Sequence, residues 1–197
     1  MRAANDDDEG PDELRDRPGL IAASRFARMV PNLAWFSRLG EELEEEELEE
    51  AEAYIAALGF PDAGVVGAEN WTEAEEAARN LDWNTAGWEA EEQLRAALIA
   101  QACENMDEDE LMVALANVTA RASDAVHEAA MEAAAQAGVK DEALVRAAAG
   151  AAAQAAYLAA LVLAADAGDD HPFAIKFRLF EVGRWPIGII GNTFTVF

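Results

Sequence analysis

Hydrophobic residues recur at a spacing of three or four positions through most of residues 20–168, which predicts that helices dominate this region. Residues that begin or end helices separate these periodic stretches, such as the capping-box pattern that starts at Thr72 and the glycine at position 138. The segments predicted to be helical are 20–30, 33–58, 72–81, 84–102, 107–136 and 142–167, and residues 59–71 are predicted to form a loop. The expected fold is therefore mainly α, a single bundle of five to six helices.

The last 27 residues have a different pattern. Gly191-Asn192 separates two apolar, β-branched stretches, 187–190 and 193–197, and a glycine at the first position of a two-residue connection favours a β-hairpin. Residues 173–182 are ambiguous, because they alternate like a strand while a proline before them and a glycine after them frame a helix; we favour the helix. The bundle is thus expected to end in a short C-terminal β-hairpin.

The charge is distributed unevenly along the chain. The last 27 residues contain three bases and one acid, so the first 170 contain 38 of the 39 acids and 11 of the 14 bases, a net charge of −27. We expect three regions: a disordered acidic lead-in over 1–19, an acidic helical bundle over 20–170, and an aromatic, weakly basic C-terminal segment over 171–197 that packs on the bundle.

The composition favours a protein that is soluble in concentrated salt. Carboxylates are abundant, only two of the 14 bases are lysines, and alanine supplies 47 residues. Molar salt would screen the mutual repulsion of so many acids. A genome rich in G and C, which favours alanine and arginine, is the alternative explanation. Either way, the acidity is a poor match for nucleic acid and for an anionic membrane surface, so neither is an expected partner.

Few residues are available for redox or metal chemistry. Cys103 is the only cysteine, so no intrachain disulfide is possible, and we expect it to be a small buried apolar side chain. The only histidines are His127 and His171. They do not supply the paired Glu-x-x-His pattern of a di-iron bundle, although Cys103 and His127 could form a nucleophile and base pair. No metal and no cofactor is predicted, and a polar N-terminus without an apolar core favours a cytoplasmic location.

Residues 147–165 are 19 uncharged positions, close to the length of a membrane span. Most of them are alanine, however, and the flanking residues include three aspartates instead of the lysines and arginines that orient spans. We interpret the segment as the buried central helix of the bundle.

Residues 41–52 hold nine acids in twelve positions. A solvent-exposed helix face is the simplest interpretation, and mimicry of nucleic acid and a cation-binding surface are the alternatives. The spacing of a calcium-binding EF-hand loop is not present here or at the other acidic runs.

No catalytic motif accompanies these features. The glycine patterns of phosphate-binding loops and the Gly-x-Ser-x-Gly nucleophile elbow are not found in the sequence. No catalytic residue is therefore predicted, and whether the protein is an enzyme stays uncertain, with a non-enzymatic role favoured.

The C-terminal segment is the predicted contact surface for a partner. Arginine beside tryptophan is enriched where binding energy concentrates, and the charge of this segment is opposite to that of the bundle. The predicted partner-binding residues are Lys176, Phe177, Arg178, Phe180, Arg184 and Trp185. The competing interpretation is that these aromatic residues pack on the bundle as a lid while the three bases pair with its carboxylates.

Three functions follow from this sequence as hypotheses. The first is protein–protein association, with a protein partner or with a second copy, through the C-terminal segment. The second is an enzyme or small-ligand binder with a pocket between bundle and hairpin, near Arg184 and Trp185; a concave pocket with convergent polar groups would support it. The third is an acidic mimic of nucleic acid that binds a basic protein.

Overall fold

The computed structural model describes residues 17–197. Within them the helices are α1 (Pro18–Met29), α2 (Glu45–Ala57), α3 (Trp71–Ala78), α4 (Thr85–Ala102), α5 (Glu108–Gln136), α6 (Glu142–Ala165) and α7 (Pro172–Glu181), and the strands are β1 (Gly64–Gly67), β2 (Pro186–Ile190) and β3 (Thr193–Val196). A 3-10 helix, Val30–Asn32, directly follows α1. The mainly α fold with a C-terminal hairpin is confirmed, and α7 confirms the helix favoured for residues 173–182.

The buried helix α6 forms the centre of the bundle, where it packs against α1, α4, α5 and α7. Alanine, the residue with the highest helix propensity, makes up most of its sequence and allows neighbouring helices to approach closely. Gly19 in α1 is one such approach, because a Cβ atom there would lie 2.4 Å from the carbonyl oxygen of Ala164. The small side chains therefore allow the backbones of α1 and α6 to pack in close contact at this point.

Each long helix begins at the residue that the sequence indicates. Asn84 and Asp141 cap α4 and α6, and the side chain of each accepts backbone N–H groups of the first turn. Asp107 and Glu110 form a capping box at the start of α5, and Gly138 follows its end with a φ of +74°. These local signals explain why the bounds of the three helices match the prediction closely.

A three-stranded sheet in the order β1-β3-β2 packs against α2 and α7. The strands β2 and β3 form the predicted antiparallel hairpin, and β1 pairs with β3 in parallel, with Val65 opposite Phe194. Tyr54, Leu179 and Phe194 belong to the small apolar cluster beneath the sheet. The hairpin is thus stabilised by a third strand as well as by the bundle.

Three local predictions were wrong. The helix expected over 33–58 begins only at Glu45, since turns occupy most of residues 35–41. The loop expected over 59–71 contains β1. The cap of α3 is Asn70 instead of Thr72, because the Asn70 side chain accepts the N–H groups of Thr72 and Glu73. The lead-in expected over 1–19 lies outside the described residues except at its end, where Pro18 begins α1.

Among the described residues, α6 is the one helix long and apolar enough in composition to cross a bilayer, because the mean hydropathy of its most apolar 18-residue stretch is 1.7. In the folded chain 61% of that stretch is buried. Core helices of soluble proteins have the same length and hydropathy, so this burial agrees with the interpretation of α6 as the central helix of the bundle.

Candidate functional site

Most of the predicted partner-binding side chains lie inside the protein. The buried ones, each no more than 4% exposed, are Phe177, Phe180, Arg184 and Trp185. The Phe177 ring packs edge-on against Phe26, with ring centres 5.1 Å apart, and against Trp35. These aromatic residues therefore form the joint between the C-terminal segment and the bundle.

Arg184 connects the C-terminal segment to the acidic run in which α2 begins. Its Nε and Nη2 atoms donate to the two carboxylate oxygens of Glu47, at 3.1 and 2.8 Å. The remaining N–H groups donate to the backbone carbonyl oxygens of Arg38, Glu41 and Glu42, at 2.6 to 2.7 Å. Every donor of the guanidinium is used within the chain, so Arg184 holds the loop before α2 in place and is not available to an external partner.

Glu47 is the buried counterpart of Arg184. Burial by itself acts to raise the pKa of its carboxyl group, but hydrogen bonds from Arg184 and from the backbone N–H of Glu44, together with the nearby charge of Arg38, outweigh it. The pKa of Glu47 therefore lies below its ordinary value. The acidic run is thus only partly a solvent-exposed surface, because one of its members is a buried structural carboxylate.

The two other predicted bases pair with carboxylates of the bundle. Lys176 Nζ donates to Glu91 Oε1 at 2.7 Å, and Arg178 donates to Glu50 and, at 2.9 Å, to the carbonyl oxygen of Asp169. All three bases of the C-terminal segment, Arg184 included, therefore pair within the chain, as expected if this segment packs on the bundle.

A concave site lies between the bundle and the hairpin, and the buried Arg184 and Trp185 are not part of its lining. It is a half-open cleft of about 210 Å³. Its lining comes from α2, α4, α6, α7, the hairpin and the loop before α4, and includes Tyr54, Leu58, Trp83, Trp88, Glu91, Ala151, Leu158, Lys176, Ile187 and Phe194. We call it the tryptophan cleft, because Trp83 and Trp88, which are 42% and 66% exposed, lie along it.

The loop before α4 places the first tryptophan by joining the free edge of the hairpin. Trp83 forms an isolated antiparallel bridge with Ile190, and the backbone N–H of Asn84 donates to the carbonyl oxygen of Ile189 at 3.0 Å. The Asn84 side chain then caps α4 by accepting the Gly87 N–H at 3.0 Å. One short segment therefore fixes both the position of Trp83 and the start of the helix that carries Trp88.

Gly188 makes room for the indole ring. Its φ is +154°, at a β-bulge in β2, and a Cβ atom there would lie 2.2 Å from the six-membered ring of Trp83. Such a distance is a severe clash, so the ring of Trp83 rests directly on the glycine backbone. This residue is needed for the shape of the cleft.

The cleft also contains a polar cluster of Tyr54, Glu91 and Lys176, side chains from α2, α4 and α7. The Tyr54 hydroxyl and the Lys176 ammonium both donate to the same oxygen of Glu91, Oε1. The ammonium also lies 5.3 Å from the centre of the Tyr54 ring, a cation–π arrangement. Glu91 and Lys176 keep 20% and 18% of their side-chain surface exposed. The charged pair is therefore shielded but still accessible from the cleft.

Tyr54 remains protonated at any ordinary pH. Burial of the phenol, followed by the negative charge of Glu91 and the hydrogen bond to it, raises its pKa well above the ordinary value. A phenol with a raised pKa is a poor base, so its chemical contribution here is that of a permanent hydrogen-bond donor to Glu91.

The other candidate residues have simpler surroundings. Cys103 is exposed at the end of α4, which corrects the prediction of a buried thiol, and His127 is also exposed. His171 caps α7, with its Nδ1 accepting the N–H of Phe173 at 3.1 Å. Over residues 17–197, no group of three or more His, Cys, Asp or Glu side chains is arranged to hold a metal ion.

Sequence reasoning predicted a pocket between bundle and hairpin but missed the residues that line the tryptophan cleft, because they come from six separate parts of the chain. The available signal was the pair Trp83 and Trp88 on either side of the Asn84 helix start, where large aromatic residues stand among acids. Neither Tyr54 nor Glu91 carries such a signal, since both fall within ordinary amphipathic helices.

Comparison with known proteins gives no match. No protein-family model matches the chain, and neither the curated proteins nor the solved structures compared with it contain a significant match.

Proposed function

We propose that the protein binds a small, largely apolar molecule in the tryptophan cleft. The observation that carries this proposal is that two accessible indole rings and the polar cluster of Tyr54, Glu91 and Lys176 meet in one concave site. Small-ligand sites are typically lined by apolar and aromatic side chains, with a few polar groups that orient the ligand. In this proposal the C-terminal segment contributes by forming one wall of the cleft, and not by serving as a contact surface for a protein partner.

The volume of the cleft limits the size of its occupant. A protein cavity of about 150 Å³ holds benzene. At about 210 Å³, the tryptophan cleft accommodates a molecule of one or two fused rings, and its open side allows a substituent to extend into solvent. The exposed indole of Trp88 at this open side supplies a flat face for stacking.

The polar cluster favours binding over acid–base catalysis. Tyr54 keeps its proton, and Lys176 and Glu91 neutralise each other at 2.7 Å. These groups can orient a polar edge of the ligand by hydrogen bonding. The protein would then act as a carrier, sensor or buffer of its ligand.

The proposal can be tested with 1-methylindole, a bicyclic probe without an N–H group, and protein labelled with 5-fluorotryptophan. The chain has five tryptophans, so five fluorine resonances can be assigned by single Trp→Phe variants. We expect 1-methylindole to shift the resonances of Trp83 and Trp88 and to leave those of the buried Trp35, Trp71 and Trp185 unchanged. Its ten non-hydrogen atoms at about 0.4 kcal/mol each correspond to a Kd of about 1 mM.

Two variants control this experiment. Ala151→Phe places a ring inside the cleft and should abolish binding, whereas Ala100→Phe adds the same ring at an exposed position of α4 outside it. Should Ala151→Phe fail to fold, Trp88→Ala removes an exposed wall instead and should weaken binding about tenfold. The proposal is wrong if 1-methylindole shifts neither Trp83 nor Trp88, or if it binds a folded Ala151→Phe variant as tightly as the wild type.

Association with another protein chain is the second candidate, favoured by the exposure of large apolar side chains at the same place. Leu81 is fully exposed, and Trp83 and Trp88 follow it closely along the chain. Exposed clusters of this kind are common at protein interfaces. If two copies associate here, sedimentation equilibrium should show a concentration-dependent dimer that Leu81→Ser combined with Trp88→Ser abolishes, and Met131→Ser, at another exposed apolar position, does not. A strictly monomeric wild type would refute self-association.

A further inference from the structure

The polar cluster of the tryptophan cleft leaves two N–H groups of Lys176 and one carboxylate oxygen of Glu91 available side by side. Both internal hydrogen bonds to Glu91 end on Oε1, so its second oxygen, Oε2, takes part in neither of them. The Lys176 ammonium has three N–H groups, and the described structure pairs one of them, with that same Oε1. A ligand that reaches this point therefore finds a carboxylate oxygen that accepts and, next to it, an ammonium that donates.

The charge at this point selects against an ionic ligand. Glu91 and Lys176 compensate each other, so the cleft offers no net charge to an ion, and an ion that entered its apolar lining would lose hydration without a full counter-charge. An anion would in addition meet the field of a chain with net charge −25. An uncharged group that donates and accepts on adjacent atoms is the better match.

The tryptophans restrict the shape of the ligand. Indole faces stack on planar rings, and stacking of a nucleic-acid base on an aromatic side chain contributes about 1–3 kcal/mol. A cleft of about 210 Å³ holds a molecule of one or two fused rings. Planarity and a neighbouring donor and acceptor occur together in a lactam heterocycle, where a ring N–H lies beside a ring C=O.

From these observations, and resting on the proposed function, we infer that the ligand of the tryptophan cleft is an uncharged lactam heterocycle, such as the base of an oxopurine or oxopyrimidine nucleoside. Its N–H donates to Glu91 Oε2, its C=O accepts from Lys176 Nζ, and its ring lies along Trp83 and Trp88. A sugar, where present, extends through the open side of the cleft. The free base or nucleoside is bound in preference to the nucleotide, whose phosphate the acidic surface repels.

Inosine and 1-methylinosine form a matched pair of probes, because they differ only at N1, where a methyl group replaces the hydrogen of the lactam N–H. We expect inosine to bind at least ten times more tightly than 1-methylinosine, and inosine monophosphate to bind more weakly than inosine at low salt. The same fluorotryptophan resonances report binding. Equal binding of inosine and 1-methylinosine, or tighter binding of glycine betaine as a zwitterionic probe, would overturn the inference.

A protein variant separates this inference from the proposed function. Glu91→Gln keeps the size of the side chain but replaces the free acceptor with an N–H donor next to Lys176, so inosine should lose at least tenfold in affinity and its advantage over 1-methylinosine should disappear. Unchanged fluorine resonances of the buried Trp35, Trp71 and Trp185 show, without any ligand, that the variant is folded. If 1-methylindole binds the wild type but Glu91→Gln leaves inosine binding unchanged, the lactam assignment fails and the cleft remains a binding site. If 1-methylindole and inosine both fail to bind the wild type, both proposals fail.

Discussion

Arg184 illustrates how geometry, at the scale of a single residue, decides between a structural and a partner-binding role. A guanidinium has five N–H groups in a planar fork, and the chain supplies five acceptors around it, two from Glu47 and three from backbone carbonyls. From the sequence alone, an arginine next to a tryptophan is expected to lie at the protein surface. The acceptors that bury it come from residues more than 130 positions earlier in the chain, which no local pattern reveals.

Replacing Arg184 by lysine should therefore destabilise the protein. Lysine has three donors on a single atom, so Arg184→Lys leaves part of the Glu47 carboxylate and some buried carbonyls without partners. We expect the free energy of unfolding to fall by about 2–4 kcal/mol, measured by urea denaturation at fixed salt. Arg146→Lys, at an exposed pair with Glu142, is the matched control and should change it by less than about 0.5 kcal/mol. Equal stability of the two variants would contradict the structural role of Arg184.

His171 is predicted to make stability depend on pH near neutrality. Burial lowers the pKa of its imidazole below the ordinary value of 6.5, and the negative charge of Asp170 opposes this shift only in part. Its contribution to stability is present above pH 6.5 and is lost as the pH falls from 6.5 to the lower pKa of the folded state, since the unfolded chain takes up the proton first. Protonation also removes the acceptor that caps α7.

The variant His171→Asn isolates this effect, because asparagine is a good helix cap and does not titrate. We expect the free energy of unfolding of the wild type to decrease from pH 7.5 to pH 5.5 by more than that of His171→Asn. Carboxylates titrate in both proteins, so the difference between the two slopes measures the histidine alone. Parallel slopes would show that the folded and unfolded states bind this proton equally.

At the scale of elements, α6 contains a position that can be improved. Gly150 lies in the helix interior and is exposed, and a Cβ atom there would meet nothing within 4 Å. Alanine restricts the unfolded chain and favours the helix, so Gly150→Ala should raise the free energy of unfolding by about 0.5–1 kcal/mol. Urea denaturation measures this change. A loss of stability would mean that the exposed side of α6 is covered by another chain in solution.

In the hairpin, by contrast, replacing a glycine is expected to lower the free energy of unfolding. Gly188→Ala places a methyl group against the ring of Trp83 and adds strain at a φ of +154°. We expect a loss of stability, a shift of the Trp83 fluorine resonance without any ligand, and weaker binding of 1-methylindole, because the wall of the cleft moves. An unchanged Trp83 resonance would show that the ring is not held against Gly188.

The helices could be predicted because their signals are local, and the third strand could not. Caps such as Asn84 and Asp141, and apolar spacing along α5, lie within each element's own residues. The strand β1, Gly64–Gly67, has only two apolar residues between glycines, and it exists because β3 supplies its hydrogen-bonding partner from 129 positions further along the chain. Its formation depends on the fold of the whole C-terminal segment.

At the scale of the whole molecule, the candidate site arises only from assembly. Tyr54, Trp83, Glu91 and Lys176 come from four parts of the chain, and none of them carries a binding motif. The sequence did indicate that a pocket could lie between the bundle and the hairpin, but it centred that pocket on two residues that the fold buries. The tryptophan cleft lies between the same elements, but Arg184 and Trp185 do not line it, because burial depends on which acceptors surround each side chain.

The net charge leads to a prediction for the molecule as a whole. Carboxylates outnumber bases by 25, and electrostatic repulsion over the compact surface opposes folding. The screening length falls from about 10 Å at 0.1 M salt to about 3 Å at 1 M, so the repulsion weakens steeply in this range. We expect the urea midpoint at pH 7 to rise markedly between 0.1 and 2 M KCl.

The same measurement near pH 4.2, the isoelectric point of the sequence, separates screening from the general effect of salt on apolar burial. There the net charge is close to zero, so the part of the salt dependence caused by repulsion should largely disappear. Absolute stability is lower there, because the pKa of Glu47 is lowered in the folded state and the unfolded chain therefore takes up this proton first. A midpoint at pH 7 that is indifferent to molar KCl would refute salt adaptation and leave genome composition as the explanation of the acids. If the urea midpoint rises with KCl by the same amount at both pH values, the rise is due to the effect of salt on apolar burial, and charge repulsion does not contribute to it.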